Sequence, residues 1–467
     1  MDSTLDKIVS YTLDMSEAAV TPAAREAGLR HLVDAIACAI AGYRTPPATA
    51  AASVARTMSA DRTATVFGAG FRSAPAYAAF TNAIMVRSLD WNDGMLAQGG
   101  GHPSDMISGI LAAAETTGAS GRDTLLSVVL SYELLGGLGR VAPATTKGLD
   151  QGLFMGVAAA MGIGRLHGLS RTQLANAASM AVVPAIPLLV TRRGALSMWK
   201  GAATAASILN ATNAVEFAKA GMTGPDEPFE GISGVMDVLT GQFELTLPAY
   251  PGGKFVAEIS HQKRFPAESH SQALLGLLPE LRAFTSVEDI ASIDVEAYAV
   301  LLNAIGRHPS VWDPKTRETA DHSLPYLLSV GLTDGDITVD SFTPERIADP
   351  ALRPLMAKVH IAENTEFTAG YRPPGLEIAG SPKVRITVTK TDGETFYREV
   401  GYPRGHTLNP MTKADVDEKL AKVCAGVLSD ERRDELGAAW WDIENASKID
   451  GLMELLADFG TTGGVTR

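Results

Sequence analysis

The chain has 467 residues, 46% hydrophobic and 20% charged, which is enough apolar material for large cores and too much for a disordered chain. Its formal net charge of -13 disfavours a general nucleic-acid or anionic-membrane surface, so an anionic substrate has to be met by a local cluster of cations. The two cysteines, Cys38 and Cys424, lie far apart in apolar helix-like segments and argue against a disulfide framework and against a zinc site.

The N-terminus, MDSTLDKIVSYTLDM, carries acids at amphipathic spacing where a secretion signal would have a basic region and an apolar core. The longest apolar run, Met180 to Val190, contains two prolines and is too short to span a bilayer, so a soluble, cytoplasmic protein with no membrane partner is expected. Thr21-Pro22 supplies an N-cap followed by proline in the first turn. Leu29, Leu32, Val33, Ile36, Ala37 and Ile40 then recur on one face until Gly42, which predicts a helix. The same grammar continues through residue 240 in APAYAAFTNAIMVRS, DTLLSVVLSYELLGGLG, GLFMGVAAAMGIGRLHG and RTQLANAASMAVVPA. Small side chains at helical spacing let helices approach closely, and a multi-helix core is expected.

Residues 88–104, SLDWNDGMLAQGGGHPS, interrupt that pattern. Asp90, Asp93 and His102 surround a spacer containing Gly94, Gly99, Gly100 and Gly101, each of which would cost roughly 1 kcal/mol in a helix interior. The spacing fits a site loop, and it fits equally a structural loop in which Asp90 caps a turn and His102 bonds to backbone. Ser104 opens a helix with Ile107, Ile110 and Leu111 on one face and Asp105 in its first turn. His102 thus stands ahead of a helix N-terminus, a place that suits a carboxylate and lowers a histidine pKa. Farther on, Lys200 begins the helical run KGAATAASILNATNAVEFAKAG, which ends at Gly221. It precedes a face of small apolar residues, although most lysines are solvated surface groups.

Near residue 260 the texture changes. β-Branched runs appear at Ile293 to Val300 and as VRITVTK and TFYREV on either side of Asp392-Gly393, a hairpin pattern. Helical pieces persist in HSQALLGLLPELRAF, HSLPYLLSVGL and the run after Pro344, and from Thr412 the chain reads as helical again. The predicted fold is mainly α: a large all-helical domain from residues 1–262 and 412–467, with a smaller α+β domain, 263–411, inserted in it.

At that junction HQKRFPAESHSQALL brings Lys263, Arg264, Glu268 and His270 together, with Pro266 suited to a helix start. Arg264 can hold a carboxylate by a bidentate fork and Lys263 is a point charge that can also donate a proton; a solvated basic turn is the alternative. In WDPKTRETADHSLPY, Thr319 or Ser323 can cap the following helix, and Asp321 and His322 are read as structural. His406, in YPRGHTLNPMT, fits a site or a plain turn. No HExxH, CxxC, Walker-type loop or G-x-S-x-G elbow occurs, which disfavours zinc and nucleotide chemistry.

Asp90-Trp91-Asn92-Asp93 with His102-Pro103-Ser104, then Lys200, Lys263 to Gln272, Arg317 to Ser323, and Gly405-His406 with Asn409-Pro410-Met411 resemble, in that order, the MmgE/PrpD family of lyases. That family acts on small di- and tricarboxylic acids, and the resemblance covers nearly the whole chain. It implies an all-helical domain made by both chain ends, a smaller α+β lid domain, a homodimer and a site between the domains. No metal or organic cofactor is implied. The catalytic roles fall on Asp90, His102, Lys200 and Lys263, with Asp93, Gln151, Arg264, His270 and Arg317 as substrate-binding residues.

The family includes 2-methylcitrate dehydratase, cis-aconitate decarboxylase and an epimerase of iminodisuccinate. FPAESHSQ at 265–272 is similar to the dehydratase pattern FPAE-x-H-x-Q, where decarboxylases of animal type have histidine in place of Glu268. TRETADHS at 316–323 also looks like the bacterial dehydratases. The sequence departs from the family at Gly94, where decarboxylases have threonine, and at Gln151, where many dehydratases have histidine. Glutamine hydrogen-bonds but cannot shuttle a proton at neutral pH. The expectation is a 2-methylcitrate dehydratase-like hydro-lyase. The alternatives are decarboxylation of cis-aconitate, epimerisation of an amino- or imino-dicarboxylate, and a non-catalytic acid-binding homologue. The expected partners are a small carboxylic acid and a second copy of the chain, with no nucleic acid.

Overall fold

Thr21 accepts a hydrogen bond from the Ala24 amide at 3.0 Å and Pro22 occupies the first turn, so the Pro22–Gly42 helix starts where its sequence places it. Its stripe of Leu32, Val33, Ile36, Ala37 and Ile40 is fully buried. The Pro75–Arg87 helix packs against it so closely that a Cβ on Gly42 would stand 2.0 Å from the Met85 carbonyl oxygen; only glycine permits that approach. The computed structural model describes residues 1–58, 64–95, 100–194, 196–250, 253–371 and 381–460, and it is mainly helical.

Helices Ile107–Thr117, Gly121–Val141, Gly152–Leu166, Arg171–Val182 and Trp199–Lys219 contribute to one hydrophobic cluster. That cluster also takes in Val416, Leu420 and Trp440 from the C-terminal helices and Phe459 beyond them. Helix Gly121–Val141 is long and apolar enough to cross a membrane, yet 89% of its most apolar window is buried inside the protein, as a core helix would be. This part of the chain is not purely helical, contrary to expectation. Ala64–Val66 pairs antiparallel with Phe71–Ser73 through a turn in which Gly68 and Gly70 take φ of 65° and 68°. Strands this short are below the length at which alternation becomes readable.

A second hydrophobic cluster runs from Phe265 to Val388 and shares no residue with the first, which stops at Ile259 and resumes at Met411. It contains a four-stranded sheet. Strand Ile290–Ala297 lies parallel to Val359–Glu363 and antiparallel to Val384–Lys390, which turns through Gly393 into Thr395–Val400. Ile293, Val295 and Ala297 stand opposite Val388, Ile386 and Val384, so period-two alternation puts all of them on one buried face. Helix Leu324–Asp334 is buried from Leu324 to Leu332 and is capped by Ser323, not Thr319.

Two local expectations are corrected, and one helical stretch is resolved into its pieces. The strand ends at Ala297, since Ala299 begins a short helix, Ala299–Ile305. Pro266 opens no helix; the Glu268 carboxylate caps the Ser269–Ser271 turn instead. HSQALLGLLPELRAF is divided into Gln272–Leu275 and Leu278–Phe284, because Pro279 has no amide hydrogen to continue the preceding turn.

Candidate active site

Where the chain passes between the two clusters, a group of charges is buried. Helix Pro75–Arg87 ends just before Asp90, whose φ of 50° is costly for a residue with a Cβ and is held by its partners. Arg87 Nη1 lies 2.8 Å from Asp90 Oδ1. Lys263 Nζ lies 2.5 Å from the same oxygen and 2.7 Å from the Asp90 carbonyl, while Lys200 Nζ is 3.2 Å from Oδ2. Lys200 also donates to Asp321 Oδ1 at 2.9 Å, and Asp321 accepts from His322 Nδ1 at 2.6 Å. Arg317 stands 3.8 Å from Asp321. Asp90, Lys200, Lys263, Arg87 and Asp321 are each no more than 3% exposed. Arg87, Lys200, Lys263 and Arg317 thus share the carboxylates of Asp90 and Asp321, which leaves positive charge in excess.

Burial alone would raise the Asp90 pKa, but Arg87, Lys263 and Lys200 overcome it and hold the carboxyl well below its usual range. The Lys263 pKa is lowered by burial, and Asp90 restores only part of the loss. Burial, followed by the charges of Arg87 and Lys263, holds His102 well below an ordinary imidazole, so the ring is neutral near pH 7. Its Nδ1 is 2.5 Å from the Asp93 carbonyl oxygen, which can only accept. The hydrogen therefore sits on Nδ1, and Nε2 offers its lone pair.

Arg87, Asp90, His102 and Lys263 face a cavity of about 170 Å³. Arg87, Asp90, Gly100, His102 and Lys263 form part of its wall; Glu268, Ser269 and His322 form another; Thr145, Asp150, Gln151, Leu189 and Arg192 complete it. Polar groups converging on a small cleft between hydrophobic cores make a site for a small ligand.

The family model of the MmgE/PrpD N-terminal domain matches residues 6–248, and that of the MmgE/PrpD C-terminal domain matches residues 265–443. The chain belongs to the MmgE/PrpD family. It is 31% identical over 366 residues to the 2-methylcitrate dehydratase of Salmonella typhi, covering 73% of this chain and 74% of that protein. The mitochondrial 2-methylcitrate dehydratase of Yarrowia lipolytica is 29% identical over 361 residues, 73% of this chain and 68% of that one. The 2-methylcitrate dehydratase-like protein oryR of Aspergillus oryzae is 28% identical over 465 residues, 92% of this chain and 90% of its own.

In this MmgE/PrpD chain the residues expected at the site separate into layers. Asp90, His102, Gln151 and Lys263 line the cavity. Lys200 stands behind them and meets the wall through Asp90 and His322. Asp93 does not face the cavity: its carboxylate accepts from Ser104 Oγ at 2.6 Å, which closes the loop, and from Tyr132 Oη at 2.7 Å, which ties it to the Gly121–Val141 helix. Arg264 points away, half-exposed and 3.8 Å from Glu418, because Lys263 points inward and neighbouring side chains of non-helical backbone diverge. His270 turns into the second cluster, where Nδ1 lies 2.6 Å from Tyr298 Oη. Arg317 is outside the wall, donating to the Ser88 carbonyl at 2.8 Å. Of the glycine spacer, Gly99 lies outside the described residues.

Several site groups were not foreseen. Asp321 and His322, read as structural, complete the Lys200 network. Arg87 had the ordinary look of a cation in the last turn of a helix. Arg192 donates Nε to Asp150 at 2.9 Å and Nη1 to the Lys200 carbonyl at 2.6 Å, a tertiary arrangement without a local signature. His406 sits in a turn outside the cavity wall, its Nδ1 accepting from the Leu408 amide at 3.1 Å.

Proposed function

We propose that this chain is a hydro-lyase that removes water from 2-methylcitrate or a close structural analogue, with the cavity beside His102 as its active site. The observation that carries the reading is that neutral His102, its Nε2 lone pair available, and the Lys263 ammonium lie on the wall of one cavity backed by excess positive charge. The names of the relatives point the same way.

His102 takes the proton from the carbon next to a substrate carboxylate, and the C–H electron pair becomes the new double bond. The hydroxyl leaves as water with a proton from Lys263, whose lowered pKa makes it a better donor. Solvent then returns a proton to Lys263 and removes one from His102. Arg87, Lys263 and, from behind, Lys200 meet the carboxylates and the charge that gathers on them as the carbon acid ionises. Asp90 sets the positions of Arg87 and Lys263.

The reaction is proposed to need no metal. Asp90, Asp321 and His322 offer donor atoms within 4.8 Å of one another, as a metal site would, but Lys200 Nζ already stands 2.9 to 3.2 Å from each of them. An ammonium serves there as the cation.

Several wider features belong to the same reading. The second hydrophobic cluster is taken as an α+β lid domain of residues 263–411 on a helical domain of residues 1–262 and 412–467, supported by the separation of the two clusters. A homodimer is proposed, supported by exposed Ile186, Leu188, Val190, Met198 and Trp199 on the segment that also carries Leu189 and Arg192 into the cavity wall, and with it a cytoplasmic location. Dehydration is preferred to decarboxylation because a Cβ at Gly94 would lie 2.5 Å from the His261 ring, which leaves no room for the decarboxylases' threonine.

The test is proton NMR of the protein with 2-methylcitrate, cis-aconitate and iminodisuccinate, each in deuterated buffer. An alkene product from 2-methylcitrate is expected. Itaconate from cis-aconitate, or exchange at a dicarboxylate carbon without net product, would replace this reading with decarboxylation or epimerisation.

A further inference from the structure

Lys419 lies on the Lys413–Cys424 helix, remote in sequence from every residue of the cavity, and is 3% exposed. Its ammonium donates to Asp34 Oδ1 at 2.7 Å, to the Trp91 carbonyl at 2.8 Å and to the Lys263 carbonyl at 3.3 Å. The three oxygens lie on three separate stretches of chain, and the Cys38 thiol also stands within hydrogen-bond reach of the ammonium. Trp91 follows Asp90 directly, and Lys263 carries the ammonium bound to Asp90. The Trp91 ring lies against the same cation, 5.1 Å from ring centre to Nζ, and its Nε1 donates to the Arg264 carbonyl at 3.0 Å.

We infer that Lys419 is a positioning residue, which fixes the two backbone segments bearing Asp90 and Lys263 at the separation their ion pair requires. The inference deepens the dehydratase reading but rests on separate geometry. Asp90 holds a positive φ, so its carboxylate direction depends on how its neighbours are anchored. Lys263 depends on Asp90 for its charge, with Arg87 opposing and Glu268 assisting. Small shifts of either segment lengthen a contact that is now 2.5 Å.

The experiment compares full-length wild type with Lys419→Met, Lys419→Arg and the double variant Asp34→Asn/Lys419→Met. The double variant removes the carboxylate that Lys419→Met would leave buried without its counter-charge. The double variant is expected to recover thermal stability over Lys419→Met while kcat stays about 100-fold below wild type, the scale of a misplaced catalytic group. KM should change less than kcat. The alkaline limb of kcat/KM should move to lower pH, because a Lys263 ammonium further from Asp90 gives up its proton sooner. Lys419→Arg, which keeps charge and donors, should recover part of kcat.

Recovery of kcat together with stability in the double variant, or an unmoved alkaline limb, would overturn the inference and leave Lys419 a stability residue only. If wild type itself turns over none of the three acids, the dehydratase reading fails. The inference is then judged on crystal structures: an Asp90–Lys263 contact unchanged in the double variant would overturn it.

Discussion

Lys200 and Asp321, 121 residues apart in sequence, are joined by a buried hydrogen-bonded ion pair of 2.9 Å that lies behind the cavity wall. Asp321 neighbours Ala320 of the second hydrophobic cluster, whereas Lys200 opens a helix of the first. Asp90 remains beside Lys200, and His322 and Arg317 remain beside Asp321, so removing one partner costs less than the about 3–5 kcal/mol of an isolated buried pair. Behind the cavity wall, a contact therefore links the chain segments that carry the two cores.

His102→Asn should reduce kcat by about 10²–10⁴-fold, the range for loss of a general base, with little change in melting temperature. In wild type the neutral form of His102 is needed, and its pKa lies well below 6.5. The acid limb of kcat/KM should accordingly fall well below pH 6.5. A limb centred near 6.5 would remove His102 from the role of base.

Arg264→Ala should leave KM within about twofold of wild type and alter stability by less than about 0.5 kcal/mol, because its guanidinium is half-exposed and faces Glu418. Arg192→Met should behave differently. It strips the cavity wall of a cation and leaves Asp150, 1% exposed, without its partner. Steady-state kinetics should show KM raised by about 10-fold or more, the loss of one charge-assisted hydrogen bond. Equal KM values in the two variants would mean that the substrate does not use this part of the wall.

Gly94→Thr should destabilise the protein by about 1–3 kcal/mol through overpacking, since its Cβ meets His261 Cε1 at 2.5 Å and Nε2 at 2.6 Å. The backbones are tied by reciprocal hydrogen bonds of 2.8 Å, so neither segment withdraws easily. Adding His261→Ala should restore much of the loss in urea unfolding. Additive effects in the double variant would show that the ring is not the obstacle.

Asp105 offers a test of pH dependence in stability. Burial pushes its carboxyl up to about 7, against 3.8 for an ordinary aspartate. The folded state then binds the proton more tightly than the unfolded one, so this group's contribution falls as pH rises from 4 to 7, by at most about 1.4 kcal/mol per pH unit. Asp105→Asn keeps an acceptor for Asn92 Nδ2, now 2.9 Å away, and does not titrate. Its stability relative to wild type should be greater at pH 8 than at pH 5 in urea unfolding. A constant difference would contradict the raised pKa.

Much of the fold could be read from local chemistry. Thr21-Pro22, the Asp392-Gly393 turn and the alternation in VRITVTK each act within a few residues, and each produced its element. The family could be read from the motifs around Asp90, Lys200 and Lys263. Which neighbour points inward was harder: Lys263 and Arg264 are equally basic, and only the backbone path separates a buried ammonium from a half-exposed guanidinium. Asp321 and His322 sit beside Ser323, whose capping role explained the segment well enough to hide theirs. The Asp150–Arg192 pair arises from tertiary packing and leaves no periodic trace.

The reach of Lys419 to the Trp91 carbonyl spans 328 residues of chain. On a ribosome adding about 5–20 residues per second, Trp91 is made roughly 16 to 66 seconds before the lysine that will anchor it. Throughout that interval Asp34 has no counter-charge from Lys419, and the loop bearing Asp90 lacks one of its ties. The helical core can gather early during synthesis, but the charged centre reaches its final form only after the returning C-terminal helix has emerged.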